Sequence, residues 1–551
     1  MFLAQMVIQS IDLVIIIGYL IGILGIGLLV SHKRRATSTE FFLAGKSLPW
    51  PIIGASLFAA NISTIHMVGL ASSGYTDGLV WGGFEWMASF CLIILGLVFA
   101  PFYFRSKIST LPQYLEKRYS HHSRTFLAFV AILSALLIHI GISLYTGAKV
   151  FEYFFNINVI YSIIIISVVT AIYTVIGGLK AVVVTETIQT FILLFGAVMV
   201  TLFALFALPE NGIHSFAQFK EALKPDQIDM VHSLRNAQTG HLNELSWFSV
   251  FFGYPVLGIW YWCSDQTIVQ KVLGAKSQRD AQLGPLLCGF LKILPVFFLV
   301  LPGVLCYAIF KDRIGAADNN TALQVMISEL IPTGLKGIIV AGLLAALMST
   351  IAAALNSSAT LVAVDIVKRI WPQTRDQMRV FIGRISAGVV MVLAALWSTQ
   401  GGKFSSVFEA INKIPMIFGP AVSCVFIWGV FWRRGTKQAS LITLICGFIV
   451  GAIYFVIDLP VFGEIQYVND PVNGLGIPFM QVGFWLFCFC SVIYVTVSLL
   501  TPMHSPEQLE NVCWDHPIKA ITKGKLSGIT DPRLVGGVLL AVMIVLYYLM
   551  A

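Results

Sequence analysis

Fourteen stretches of mainly apolar residues recur along the chain, each about the length that crosses a hydrocarbon core roughly 30 Å thick. They lie near 10–31, 50–72, 79–104, 125–153, 158–177, 181–207, 246–268, 284–310, 335–367, 379–399, 405–432, 438–458, 479–501 and 533–550. No water reaches backbone groups inside a bilayer, so such segments must be helices that close their own hydrogen bonds. The composition agrees, with 57% hydrophobic and 11% charged residues. An all-α integral membrane fold of about 14 helices is therefore expected, in a single domain over 1–551. The longest hydrophilic blocks, 208–245 and 502–530, are too short for a second domain.

Lys and Arg mark the cytoplasmic loops, because short loops rich in them are retained on that side. They concentrate in "HKRR" (32–35), 105–124, 271–279, 368–379, "RRGTK" (433–437) and 519–533, which is every second loop. Loops 73–78 and 459–478 contain neither residue. The pattern predicts a multi-pass protein of the inner or plasma membrane with both termini extracytoplasmic. The net charge of +8 then reflects topology and does not indicate a nucleic-acid partner. The first apolar run has no basic leader and ends in "SHKRR", so it reads as a retained helix rather than a signal peptide. The nine cysteines form no CxxC pair and read as packing residues.

Polar residues within lipid are costly, so each one calls for a partner, a cavity or a function. Glu85 and His66 each lie about six residues from the outer ends of successive helices, hence both roughly 9 Å deep. Three readings are open for them: an ion pair, a donor and acceptor for a hydroxyl-bearing ligand, or a structural bond between helices. Asn61 sits about one turn deeper in "GASLFAANISTIHMVG" (54–69), a helix too polar for lipid and suited to a break. "WFSVFFGYPVLGIWYWCSDQ" (247–266) contains Gly253, Pro255 and Gly258 and invites a second break. Two interrupted helices five spans apart suggest an inverted repeat with its site at the midplane. In "LLAALMSTIAAALNSSATL" (343–361), Ser349 and Thr350 supply hard neutral oxygens that suit Na⁺, although hydroxyls also serve plain helix packing. Lys292 lies roughly 12 Å from the inner end of its span, too deep for easy snorkelling. Tyr261 and Trp262 can wall a sugar site or belong to an interfacial aromatic belt. His139, alone on an apolar helix, reads as a packing residue, and Asp265 reads as a local cap or partner.

Seven motifs occur in order: "FFLAGKSLPW" (41–50), "GASLFAANIS" (54–63), "GGFEW" (82–86), "LPQYLEKRY" (111–119), "IYTVIGGLKAVVVTETIQ" (172–189), "WYWCSDQTIVQK" (260–271) and "LNSSAT" (355–360). Together they resemble the sodium/solute symporter family, and "GGFEW" and "WYWCSDQ" its sodium/glucose cotransporter-like branch. The resemblance implies a LeuT-like inverted five-helix repeat. Its first half would span 50–207 and its second 246–432, with an extra helix at 10–31 and three more over 438–550. It implies a sodium site at the carbonyls of Ala59, Ile62 and Ala346 and the hydroxyls of Ser349 and Thr350. Sugar contacts would fall on Asn61, His66, Glu85, Tyr261, Trp262, Lys292 and Asn412, with Tyr261 as an inner gate. Asn412 stands where sugar-carrying relatives have Gln, and a glycine at 258 leaves more room than a polar side chain would. A second sodium site in some members needs an Asp and two hydroxyls; here these positions are Glu186, Ala352 and Ala353.

The function implied is sodium-coupled import of a small polar solute, first of all a neutral monosaccharide such as glucose or galactose, with one Na⁺ per substrate. The alternatives within that class are a uronate or other acidic sugar, myo-inositol and a non-sugar solute. An enzyme would require a nucleophile with a base, or a metal cluster, and neither HExxH nor GxSxG occurs. A transport-fold sensor would be expected to add a cytoplasmic domain, whereas "LVGGVLLAVMIVLYYLMA" ends the sequence on an apolar segment.

Overall fold

The computed structural model describes residues 8–30, 37–314, 321–403, 412–458, 466–514 and 528–550. The "HKRR" stretch, most of "NNT" (319–321), the start of the predicted 405–432 span and much of the 519–533 loop lie outside them. We number the principal helices α1 (Ser10–Val30), α2 (Trp50–Asn61), α3 (Thr64–Thr76), α4 (Leu79–Arg105), α5 (His121–Phe155), α6 (Val159–Ala207), α7 (249–264), α8 (Gln266–Leu273) and α9 (Gln278–Phe310). The remainder are α10 (Leu335–Ile370), α11 (Asp376–Ser398), α12 (Gly419–Phe431), α13 (Lys437–Asp458), α14 (Phe479–Leu500) and α15 (Pro532–Met550).

Ten of these are long and apolar enough to cross a membrane, and the bent pair α2–α3 makes an eleventh segment. Helix α6, at 49 residues, is two spans joined at Gly178, whose φ of 63° and ψ of −169° only glycine adopts freely. A Cβ at Gly178 would also lie 2.6 Å from the Phe41 carbonyl oxygen. Counting α6 twice and adding α7 and α12 gives fourteen segments, matching the apolar runs.

The break between α2 and α3 turns the chain by 61°. Ile62 (φ −74°, ψ 97°) and Ser63 (φ −98°, ψ 172°) are extended, and the Ser63 side chain forms a capping box with His66 at the start of α3. The second interruption is lower than the Gly and Pro residues of α7 suggest. Residues 254–259 stay helical, with π-helical turns on either side, and the chain becomes extended only at Asp265 (φ −80°, ψ 127°). Pro255 sits in the first turn of its α-helical stretch, where the missing N–H costs little. Asp265 accepts the Thr267 amide at 2.7 Å and so starts α8.

Burial ranks the helices. In α10, 94% of the most apolar stretch is buried, against 17% in α1, so α10 is the central post and α1 a peripheral one. Asp12 nevertheless ties α1 to it, accepting the Gly334 and Gly337 amides at 2.7 and 2.8 Å at the start of α10. Both halves of the broken helix pack on α9, α2 on its first half and α3 on its second. Glycines allow each crossing: a Cβ at Gly54 would meet Leu287, and one at Gly303 would lie 1.9 Å from the Ala71 carbonyl oxygen. At the C-terminal end of α12, buried Arg118 donates to the carbonyls of Gly429 (2.8 Å), Trp432 (2.9 Å) and Gly435 (3.1 Å).

Gly303→Ala should therefore destabilise the folded protein by about 1–3 kcal/mol through overpacking. Gly388→Ala, where an added Cβ meets nothing within 4 Å, should be neutral or stabilise by up to about 1 kcal/mol. Melting of the two purified variants checks the contrast.

Candidate substrate cavity and oxygen cluster

The seven residues that the sequence nominates for sugar line one cavity: Asn61, His66, Glu85, Tyr261, Trp262, Lys292 and Asn412. The space open to the centre of a water molecule is about 80 Å³. Five helices and the segment before α12 supply these residues. The end of α2 gives Asn61, the first turn of α3 His66, the second turn of α4 Glu85, and α7 Tyr261 and Trp262; Lys292 lies within α9 and Asn412 just before α12.

Lys292, 1% exposed, is the hub. Its ammonium donates to Glu85 Oε2 and, at 2.5 Å, to Asn61 Oδ1. It also sits 5.6 Å from the centre of the Trp262 ring, within reach of a cation–π attraction. Asn61 uses its other end to donate to the Tyr261 hydroxyl at 3.1 Å. One amide thus joins the charged pair to the aromatic wall. His66 shares this cavity with Glu85, as their matched depths suggest, but the ion pair of Glu85 is with Lys292. The His66 Nδ1 turns to the Ser63 hydroxyl at 3.0 Å, so this ring also serves the break.

Gly258 lines the cavity. A Cβ there would come within 2.6 Å of Cys91 Sγ and 2.8 Å of the Tyr254 ring, so the glycine also serves close packing. His139 does more than fill space. It lines the cavity, lies 5.8 Å from the Tyr261 ring and bonds Asp265 Oδ2 at 3.3 Å through Nε2. Ser143, one turn further along α5, also lines the cavity, and its buried hydroxyl has no hydrogen-bond partner among the described residues. The i, i+4 spacing of His139 and Ser143 on an otherwise apolar helix was the available signal.

Directly beside the cavity lies a group of neutral oxygens. The Ser349 hydroxyl donates to the carbonyls of Ala59 and Ala346, both at 2.9 Å. The Thr350 hydroxyl donates to Ala60 (3.1 Å) and Ala346 (3.2 Å). Four of the five nominated residues, Ala59, Ala346, Ser349 and Thr350, therefore meet. Ala60 joins them unforeseen, and Ile62 makes no bond to either hydroxyl. Thr350 also lines the cavity, so the two features share a side chain. Hydroxyls and carbonyls without a carboxylate are a donor set for a hard monovalent cation. Glu186 is engaged by the Ser56 hydroxyl and lies 3.4 Å from the Lys271 ammonium; all three side chains are buried.

Lys292→Met would strand the Glu85 carboxylate in the protein interior and should cost about 3–5 kcal/mol. The double variant Glu85→Gln/Lys292→Met should recover most of that loss. Thermal melting of both checks this, and a double variant no better than the single one would show that the pair is not the cause.

The model of the sodium:solute symporter family matches residues 41–447. The sodium/glucose cotransporter 1 of Oryctolagus cuniculus is 31% identical over 540 residues, covering 91% of this chain and 81% of its own. The sodium/glucose cotransporter 4 of Danio rerio is 30% identical over 542 residues, covering 93% and 82%. Among solved structures, a Na⁺-coupled sialic acid symporter in a substrate-bound outward-open state superposes with a TM-score of 0.76 at 20% identity, over 90% of this chain and 99% of that one. Mhp1, a nucleobase-cation-symport-1 family transporter in a closed conformation, gives 0.50 at 13% identity, over 85% and 97%. The shared fold is LeuT-like, an inverted repeat of five helices. The chain belongs to the sodium:solute symporter family: it is a multi-pass membrane transporter rather than an enzyme, and sodium is its coupling ion.

Proposed function

We propose that this symporter imports a neutral monosaccharide of the glucose or galactose kind, with one Na⁺ per sugar, by alternating access. The repeats are 50–207 and 246–432, and both termini lie outside. The carrying observation is the internally neutralised cavity. Glu85 already holds the Lys292 ammonium, so the walls offer a ligand hydrogen bonds and aromatic faces rather than a net charge. A polyol can insert its hydroxyls among Glu85, Lys292, Asn61, His66 and Asn412. A uronate carboxylate would first have to break a buried ion pair. Trp262 and Tyr261 suit the apolar face of a sugar ring, and Tyr261, held by Asn61, closes the path below it. The names of the curated relatives point the same way.

Sodium is taken at the oxygens of Ala59, Ala346, Ser349 and Thr350, with the Ile62 carbonyl completing the set. An ion there ties the broken helix to α10, and it shifts the conformational equilibrium only by its unequal affinity for the two states. Thr350, common to cluster and cavity, transmits that bias to the sugar. A single sodium is supported by Glu186, whose carboxylate faces an ammonium of the protein itself, and by Ala352 and Ala353, which bring no hydroxyls.

Uptake into proteoliposomes, with a panel of sugars and with or without an inward Na⁺ gradient, tests the proposal. Gradient-dependent accumulation of a neutral hexose with a Hill coefficient near one for Na⁺ is expected. No accumulation of any sugar would refute the substrate, and a coefficient near two the stoichiometry. Ser349→Ala should raise the half-saturating Na⁺ concentration about tenfold, the worth of roughly one ligating hydroxyl. Glu85→Gln should weaken sugar affinity far more than Na⁺ affinity, and Ser143→Ala should affect only the sugar.

A further inference from the structure

Helices α5, α10 and α13 leave a groove on the outside of the bundle where their ends at His121, Arg369 and Leu441 come together. The space open to the centre of a water molecule is about 1090 Å³. Its chemistry is divided along its length. One end carries His121 and His122, whose ring centres are 3.8 Å apart, with Thr125 and Arg369. The rest is apolar, walled by Phe126, Phe129, Ile132, Leu136 and Ile445. Phe129 is 57% exposed and Ile370 58%, at a level where an exposed aromatic, Trp371, suits the membrane interface.

The polar end carries one cation without a direct carboxylate partner. The Arg369 guanidinium donates to the Thr125 hydroxyl and to the His121 carbonyl at 3.5 Å, and it has no carboxylate partner among the described residues. Two carboxylates share the neighbouring Arg124: Asp365, which also lines the groove, takes it at 2.8 Å and Thr110 at 3.0 Å through Oδ1, leaving its buried Oδ2 without a hydrogen-bond partner among the described residues, and Glu116 takes it at 2.5 Å. From His121 to Leu136 the groove runs roughly 22 Å along α5. That is enough for a headgroup and one leaflet's share of a core about 30 Å thick. A water-soluble anion would leave the apolar walls unused, and a neutral apolar molecule would leave Arg369 unused.

We propose that this groove binds an anionic phospholipid of the cytoplasmic leaflet, with its phosphate between Arg369 and the His121–His122 pair and an acyl chain along Phe126, Phe129 and Leu136. The leaflet assignment rests on the topology proposed above. The lipid would splint the inner ends of α5 and α10, the helices that carry His139 and Thr350 to the cavity, and so couple transport to membrane composition.

Native mass spectrometry of the full chain in detergent tests this, with phosphatidylglycerol and phosphatidylcholine of identical chains as probes. Phosphatidylglycerol should bind at least about fivefold more tightly, and Arg369→Gln should reduce that preference about fivefold, the worth of one arginine at an anionic surface. Lys149→Gln, an exposed lysine on the same helix α5 outside the groove, should leave it unchanged, and Ile445→Trp should weaken both lipids by filling the apolar part. Equal binding of the two lipids by the unaltered protein overturns the proposal, whatever the variants do. So does a preference that survives Arg369→Gln combined with His121→Gln and His122→Gln. Displacement by inorganic phosphate or glycerophosphoglycerol as effectively as by lipid would show a free-anion site and also overturn it. The readout is bound lipid mass, so failure here and failure of sugar uptake are separate results.

Discussion

Two residues of extended backbone, Ile62 and Ser63, interrupt a helix in the interior of an apolar bundle, and most of the functional architecture answers to that interruption. A break frees carbonyls that lipid cannot satisfy, so protein groups must receive them. Ser349 and Thr350 of α10 meet Ala59, Ala60 and Ala346, while the Thr64 hydroxyl reaches back to the Leu343 carbonyl at 2.8 Å. The same break turns Asn61 toward Lys292 and Tyr261, and it places His66 in the first turn of a new helix. Oxygen cluster and polar cavity are thus two sides of one discontinuity.

Polar groups around the cavity are organised in buried pairs. Lys292 with Glu85, Lys271 with Glu186 and His139 with Asp265 form a ladder of buried partners, each joining different helices. A buried charge is costly unless it is paired or hydrogen-bonded, so such pairs are tolerable and hold helices in register, as backbone groups hold Arg118 and Asp12. Glycine crossings at Gly54, Gly74 and Gly303 let the broken helix lie close against α9, which carries Lys292.

Much of this was legible in the residues. Length and apolarity located the fourteen segments, because a bilayer imposes one length on every span. Isolated polar residues in apolar helices identified the cavity, since few reasons exist for an Asn, Glu or Lys at that depth. Local signals misled where packing decided. The Gly and Pro residues of α7 suggested a break near 253–258, yet the chain stays helical there because the glycines make room for Met480, Cys91 and Tyr254. His139 looked solitary because its partner, Asp265, is distant in sequence.

The sequence by itself determined that this chain lives in a membrane, where its apolar segments lie and which residues are too polar to face lipid. These follow from hydropathy and depth, properties of each segment alone. Only the tertiary structure decided who partners whom: Glu85 with Lys292 rather than His66, Lys271 with Glu186, Thr350 with Ala60. Partner choice depends on the rotation and crossing of helices far apart in the chain. A helix repeats its faces every 3.6 residues, but nothing in that period says which neighbour a face will meet.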